Sequence, residues 1–332
     1  MSKPNLFDYA TSELSQDAFI CWLLAWADSK YVENVSMHQL GVLFLDSLFD
    51  KCPEVEKPLK YHSIRIQKQY KSIDILVIVN NKYVLLIEDK TGTKNHSGQL
   101  ERYLKTVKQD FSDKDILPIY FKTHDQGNYK NIISKGYKLY LRKDFLNILQ
   151  NDIDNHILQD YREYLQQIED KVNSYTILPI DKWSTNAVKG FYMALQNALK
   201  DGNWDYVANP SGGLWGYWWH WCTIDNYKIY MQIDAMKHKN KMQFQLKFKL
   251  SSDSKDKIGV EIVRYWKKHI LYKDEKFVIS KPKVVRRGRW TTIGTSDTFL
   301  AEEDGIIDMQ KTIENLKSLE DILDHKVQNK DI

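Results

Sequence analysis

Cysteine is scarce in this chain. Cys21, Cys52 and Cys222 are its only three, they stand far apart, and they form no CxxC pair and have no histidine at the spacing of a structural zinc module. That excludes a disulfide framework and makes a structural zinc domain an unsupported expectation. Long apolar runs are missing too: none approaches the roughly 18 to 20 residues that a membrane span needs. The opening "MSKPNLFDYA" lacks the basic-then-apolar form of a secretory signal, so the expectation is a cytoplasmic protein without a membrane partner. A charge of one sign is absent as well, because 48 basic residues stand against 44 acidic ones, for a net +4. Such a balance does not by itself indicate a nucleic-acid binder, and only local clustering of cations would. The sequence has no GxxxxGK[ST] phosphate loop, GxGxxG fingerprint, HExxH or GxSxG elbow, which argues against ATP-driven work, dinucleotide binding, zincin proteolysis and serine hydrolysis. It contains no internal repeat and no low-complexity tract.

What is present is an ordinary globular composition, 42% hydrophobic and 28% charged over 332 residues, enough for two domains or one large one. The segment "SELSQDAFICWLLAWADS" spaces Leu14, Phe19, Trp22, Leu23 and Trp26 as a core helix, with Ser12 or Ser15 as its N-cap. A helix over Met37 to Phe49 follows. Strands are then expected through Ile64 and Ile66, from Ser72 to Val79 and from Tyr83 to Lys90. After Gly92 come an amphipathic helix, "HSGQLERYLKTVKQDF", and strands at "ILPIYF" and "GYKLYL". Helix, three strands, helix and strand in that order predict an α/β layer with a mixed central sheet flanked by helices. Helical segments follow from about Lys143 to Lys171 and from Trp183 to Leu199.

Composition changes near Leu178 to Asp181, because eight of the ten tryptophans lie at or beyond Trp183. The expectation is therefore one domain over residues 1–178 and a second, Trp-rich α+β domain over residues 179–332. The second module would have an antiparallel hairpin turning at Lys239 and Asn240 and a closing helix over Met309 to His325. Within "LWGYWWHWCTI", strand alternation puts Trp219 and Trp221 on one face, opposite Trp218, and core packing is favoured over a platform for stacking bases. A homo-oligomer or a partner protein could form through this module.

The chemistry concentrates in "YKSIDILVIVNNKYVLLIEDKTG". If the hairpin turns through Asn80, Asn81 and Lys82, Val79 pairs with Tyr83, and Asp74 then falls opposite Glu88 with both side chains on one face. A two-residue turn would instead set Asp74 against Ile87 and dissolve the constellation. Lys90 shares the face of Glu88, about 6 to 7 Å along the strand, whereas Asp89 points the other way and reads as structural. Two carboxylates side by side in a half-buried sheet repel and pay desolvation, and a divalent cation resolves both costs. Mg²⁺ prefers such oxygen ligands together with waters and phosphate oxygens, and an ammonium at Lys90 can hold the nucleophile or a phosphate oxygen.

Asp74 followed by Glu88-Asp89-Lys90 on the next strand resembles the PD-(D/E)XK nuclease superfamily. The following "QLERY" gives Gln99 and Tyr103 the QxxxY spacing of its RecB-like branch, one turn apart on one helix face. The opening "ELSQDAFICWLLAWAD" is similar to the first core helix of another branch, in which a glutamate at the position of Glu13 approaches the site. Glu13 reads equally as complementing the helix dipole. Ile73 stands where the family name has proline, a position at which that proline is widely lost. Over residues 10 to 125 the resemblance implies a restriction-endonuclease-like core, dependence on Mg²⁺ or Mn²⁺, phosphodiester hydrolysis of DNA rather than RNA, and a role in restriction, repair or defence against mobile DNA. It also implies Asp74, Glu88, Lys90, Gln99 and Tyr103 as catalytic residues, and Asp74, Glu88 and Glu13 as metal ligands.

His96, three residues before Gln99, reads as a helix cap in preference to a phosphate contact. In "KPKVVRRGRWTT", Lys281, Lys283, Arg286, Arg287 and Arg289 cluster without an acid and either track nucleic-acid phosphates or form a solvated loop. The competing reading of the whole chain is a non-catalytic nucleic-acid-binding or assembly protein that retains the nuclease fold.

Overall fold

The computed structural model describes residues 4–10, 12–92, 98–151, 153–209, 212–253 and 257–330. The chain divides into two compact units, Met1–Glu169 and Asp170–Ile332. His96 lies outside the described residues.

The first unit begins with α1 (Ser12–Ala25) and α2 (Val35–Phe49), followed by β1 (Ile64–Tyr70), β2 (Ile73–Val79) and β3 (Tyr83–Lys90). Next come α3 (Gln99–Asp110), β4 (Asp115–Lys122), α4 (Lys130–Ser134), β5 (Lys138–Leu141), α5 (Arg142–Leu149) and α6 (His156–Asn173). The helical stretch expected from Lys143 to Lys171 is thus two helices. The five strands lie in the order β1-β2-β3-β4-β5. β1, β2 and β3 are antiparallel neighbours, whereas β3, β4 and β5 run parallel, so the sheet is mixed as expected.

Continuous apolar runs mark strands covered on both faces, and β3 is buried at all eight positions. Ile75, Val77, Leu85 and Ile87 pack with Phe19, Leu23, Phe44 and Phe145 from α1, α2 and α5. Leu76, Ile78, Val84 and Leu86 pack on the other face against Leu100, Tyr103 and Val107 of α3. Burying each such side chain contributes roughly 1.5 to 3 kcal/mol, which fixes the register strongly because a one-residue slip would exchange the two faces.

The hairpin turn sets that register. Val79 pairs with Tyr83, leaving the three-residue loop Asn80-Asn81-Lys82. Asn80 and Asn81 take positive φ of 52° and 54°, a conformation asparagine tolerates better than most residues. Asn80 Oδ1 accepts from the His62 N–H at 2.7 Å, and its amide donates to the Lys60 carbonyl at 2.7 Å, tying the turn to the segment before β1.

The second unit holds α7 (Thr185–Leu199), β6 (Asn203–Val207), β7 (Leu214–Ile224), β8 (Tyr227–His238), β9 (Lys241–Ser252) and α8 (Val260–His269). It ends with β10 (Tyr272–Lys273), β11 (Val278–Ile279), β12 (Trp290–Ser296), β13 (Glu302–Glu303), β14 (Ile306–Ile307) and α9 (Met309–Gln328). Its main sheet is antiparallel in the order β12-β9-β8-β7-β6, and the β8–β9 hairpin turns at Lys239 and Asn240 as expected. One face of this sheet and α7, α8 and α9 enclose a separate core containing Tyr217, Trp219, Met231, Phe248, Trp266 and Leu319.

The alternation expected in β7 fails at one place. Trp219 pairs with Met231 but Cys222 pairs with Ile229, so one extra residue is inserted between them, and His220 sits at φ +52°. A bulge of this kind reverses the side-chain parity downstream. Trp219 is therefore 1% exposed in the core, whereas Trp221 is 45% exposed and stacks on Tyr230 across the other face. Trp219 and Trp221 do not share a face, and Trp221 is not core.

Candidate active site

The main-chain ladder between β2 and β3 ends at Ile75 opposite Ile87. One residue further, the Asp74 carboxylate replaces a backbone acceptor, and its Oδ2 takes the Asp89 N–H at 3.0 Å. This brings Asp74 to the end of β3 that carries Glu88, Asp89 and Lys90. The Lys90 ammonium lies 3.3 Å from Asp74 Oδ2 and 2.9 Å from Glu88 Oε1, so both carboxylates converge on a single cation. Lys90 Nζ also donates to the Asp89 carbonyl at 2.8 Å.

The α3 pair joins the same cluster. Gln99 is the first residue of that helix, and its amide donates to Glu88 Oε1 at 2.7 Å and to the Tyr103 hydroxyl at 3.2 Å. Gln99 thereby links Tyr103 to the acid on β3, and the one-turn spacing is what permits it.

Glu88 has no solvent exposure. Its Oε1 takes both Lys90 and Gln99, and its Oε2 has no hydrogen-bond partner. Burial, and then the Asp74 charge, pushes the Glu88 carboxyl up to about 7. Burial alone would lower Lys90, but Glu88 and Asp74 outweigh it and hold the ammonium above its ordinary value. A buried carboxylate with a spare oxygen, a second carboxylate on the same ammonium and an all-oxygen acid donor set fit a hard divalent cation.

Glu13 is half-buried on α1, and its charge acts on Lys90 and Asp17. It does not join Asp74 and Glu88 in a set of three ligands whose atoms all lie within 4.8 Å of one another. Asp89 faces the other side of β3, where it accepts from the Gln16 amide of α1. Gln16 Oε1 in turn accepts from Thr123 at 2.8 Å and from the Tyr161 hydroxyl at 3.0 Å. Burial, and then the charge of Asp17, raises Asp89 well above the usual carboxylate range, and burial followed by Asp74 raises Asp17 to about 6.

Sequence reasoning passed over Gln16, Asp17, Tyr120 and Lys122. Lys122 is the parallel-strand neighbour of Lys90 and donates to the Thr91 carbonyl at 3.1 Å. Tyr120 pairs with Glu88, and its buried hydroxyl has no partner. Polar residues at the ends of apolar strands were the available signal for Tyr120 and Lys122. Nothing local reports the Gln16–Asp89 bond, which spans 73 residues.

The model of one protein family, described as the PD-(D/E)XK nuclease superfamily, matches residues 4–207. The chain belongs to that superfamily. Its mixed sheet with helices on both faces is accordingly the restriction-endonuclease-like core of a family of nucleases, and divalent metals such as Mg²⁺ are typical of those enzymes. No curated protein matches the chain, and no solved structure does.

The expected nucleic-acid-binding run lies in the second unit. Lys281, Lys283, Arg286, Arg287 and Arg289 are all exposed. Lys281 and Arg287 line a pocket of about 500 Å³ with Arg264, Lys267 and Lys268 of α8, over an apolar floor of Val260, Val263 and Val285. Arg264 pairs with Glu261, whereas Arg289 donates to the Ser252 carbonyl and lies over Trp290. The three cations of α8 escaped the sequence reading because they belong to an ordinary amphipathic helix. Among the described residues, no helix is long and apolar enough to cross a membrane.

Proposed function

We propose that this chain is a divalent-metal-dependent nuclease that hydrolyses phosphodiester bonds, with DNA as its substrate and Mg²⁺ or Mn²⁺ as its cation. The observation that carries this reading is the convergence of Asp74 and Glu88 on Lys90 while one buried Glu88 oxygen is left without a partner. Asp74 and Glu88 would hold the cation, and Glu13, whose charge reaches Lys90, would be a more distant third acid. When bound, the cation supplies positive charge against the negative charge building on the phosphoryl oxygens and eases deprotonation of water.

The remaining work falls to the chain. Lys90, kept protonated by its two acids, directs its ammonium at the attacking water or a phosphate oxygen. Gln99 holds Glu88 in one rotamer, and Tyr103 holds Gln99. The cations at 281–289, together with those of α8, follow the phosphate backbone, an interaction that weakens steeply with salt. The second unit thus serves substrate recognition, and cytoplasmic restriction, repair or defence against mobile DNA is the setting that suits such an enzyme.

The test is a cleavage assay on supercoiled plasmid, linear duplex, single-stranded DNA and RNA with Mg²⁺ or Mn²⁺, against an EDTA control. Metal-dependent DNA cleavage that disappears in Asp74→Ala and Lys90→Ala is the expected result. Tight metal-independent binding with no cleavage of any substrate would replace the nuclease by a binding protein built on its fold.

A further inference from the structure

The bulge in β7 does more than turn Trp221 outward. With His220 as the inserted residue at φ +52°, the His220 ring and the Cys222 thiol both reach α9. His220 Nε2 lies 2.9 Å from Asp324 Oδ1, and Cys222 Sγ lies 3.3 Å from the same oxygen. The three ligand atoms all lie within 4.8 Å of one another, and among the described residues no other three His, Cys, Asp or Glu side chains do so.

The surrounding contacts hold this arrangement. The His220 N–H donates to Asp201 Oδ2 at 3.1 Å, which pins the bulge. Trp219 Nε1 donates to Glu320 Oε1 at 2.5 Å, anchoring α9 one turn before Asp324 on the same helix face. A non-glycine residue in the left-handed region is strained, and such strain persists where the surrounding structure enforces it.

We propose that His220, Cys222 and Asp324 form a binding site for a divalent transition-metal cation of the zinc class. The donor set decides the class: one imidazole nitrogen, one sulfur and one carboxylate oxygen suit zinc-like ions and are poor ligands for Mg²⁺. Tetrahedral zinc with bonds of about 2.0 to 2.3 Å separates adjacent ligand atoms by roughly 3.3 to 3.6 Å, close to the separations across Asp324. All three side chains are half-buried, so the ion would have a route in and a fourth position open to water. The bound cation would clamp the C-terminal helix to the sheet. This site is independent of the nuclease reading, and it places in the second unit a metal that the wide spacing of the cysteines argued against.

The test uses metal-free full-length protein titrated with Co²⁺. One equivalent is expected to produce the intense thiolate-to-cobalt charge-transfer absorption of a sulfur ligand. Zn²⁺ should abolish the band and excess Mg²⁺ should leave it unchanged. The band should be lost in Cys222→Ser, weakened in His220→Ala and Asp324→Asn, and retained in Glu88→Gln, because the acids of the first unit offer no sulfur. Absence of the band at one equivalent, or its full persistence in Cys222→Ser, would reduce the trio to a hydrogen-bonded cluster and overturn the proposal.

Discussion

Asp234 of β8 and Glu88 of β3 are both buried carboxylates on inner strands of five-stranded sheets, yet their oxygens are used differently. Asp234 gives Oδ1 to the Gln232 amide and Oδ2 to the Lys247 ammonium, so each oxygen has a donor. Glu88 receives Lys90 and Gln99 on Oε1 and leaves Oε2 without a partner. Asp17 and Asp89, close by, meet each other as a carboxyl pair. A buried acid serving only the fold is expected to be satisfied by the protein alone, because the desolvated charge is otherwise too costly. Glu88 keeps an oxygen for which the protein supplies no donor, whereas both oxygens of Asp234 are met from within the fold.

Substitutions at the two acids can break this comparison. The largest effect is expected on activity: Asp74→Ala or Lys90→Ala should lower metal-dependent cleavage about 10²- to 10⁴-fold, while Asp234→Asn leaves it within a few-fold in the same assay. A stability change large enough to account for the loss would remove the contrast. Next comes Asp234→Ala, which strands the Lys247 ammonium and the Gln232 amide and should cost about 3 kcal/mol in urea unfolding. Glu88→Gln in EDTA should cost far less or stabilise, because the acid it removes is already poorly satisfied.

The pH dependence sharpens the point. Glu88 and Asp17 are raised to about 7 and about 6 from ordinary values of 4.5 and 3.8, so the folded protein binds their protons more tightly than the unfolded chain does. Their stabilising contribution is complete below about pH 4 and is lost as the pH rises through 6 and 7. Metal-free wild type should therefore lose on the order of 1 to 3 kcal/mol relative to Glu88→Gln between pH 4.5 and pH 8, with Mg²⁺ recovering it at pH 8. A flat difference between the two unfolding curves would count against it. The smallest effect is expected at the turn, where Asn80→Ala removes three side-chain hydrogen bonds and a residue that tolerates its positive φ better than alanine. About 1 to 2 kcal/mol should be lost, measured by thermal unfolding.

Much of the first unit was legible because its signals are local. Apolar runs bounded by Asn80-Asn81-Lys82 specify a hairpin, and the hairpin places Asp74, Glu88 and Lys90 by arithmetic. The one-turn spacing of Gln99 and Tyr103 needs only helix geometry. The second unit was less legible at its most informative place. The bulge at His220 rests on a left-handed histidine for which no glycine gives warning, and it reversed the expected faces of Trp219 and Trp221.

By itself the sequence determined the α/β class and the mixed sheet, because side-chain periodicity acts over a few residues, whereas the choice between a two- and a three-residue turn was settled by the structure. It also determined the Glu88-Asp89-Lys90 triplet and the helix that follows it. Only the tertiary structure decided which oxygens were left unmet, how Gln16 and α8 enter their neighbourhoods, and how His220 and Cys222 meet Asp324 more than 100 residues away. Those outcomes depend on which distant groups packing brings within hydrogen-bond reach, and no local pattern encodes them.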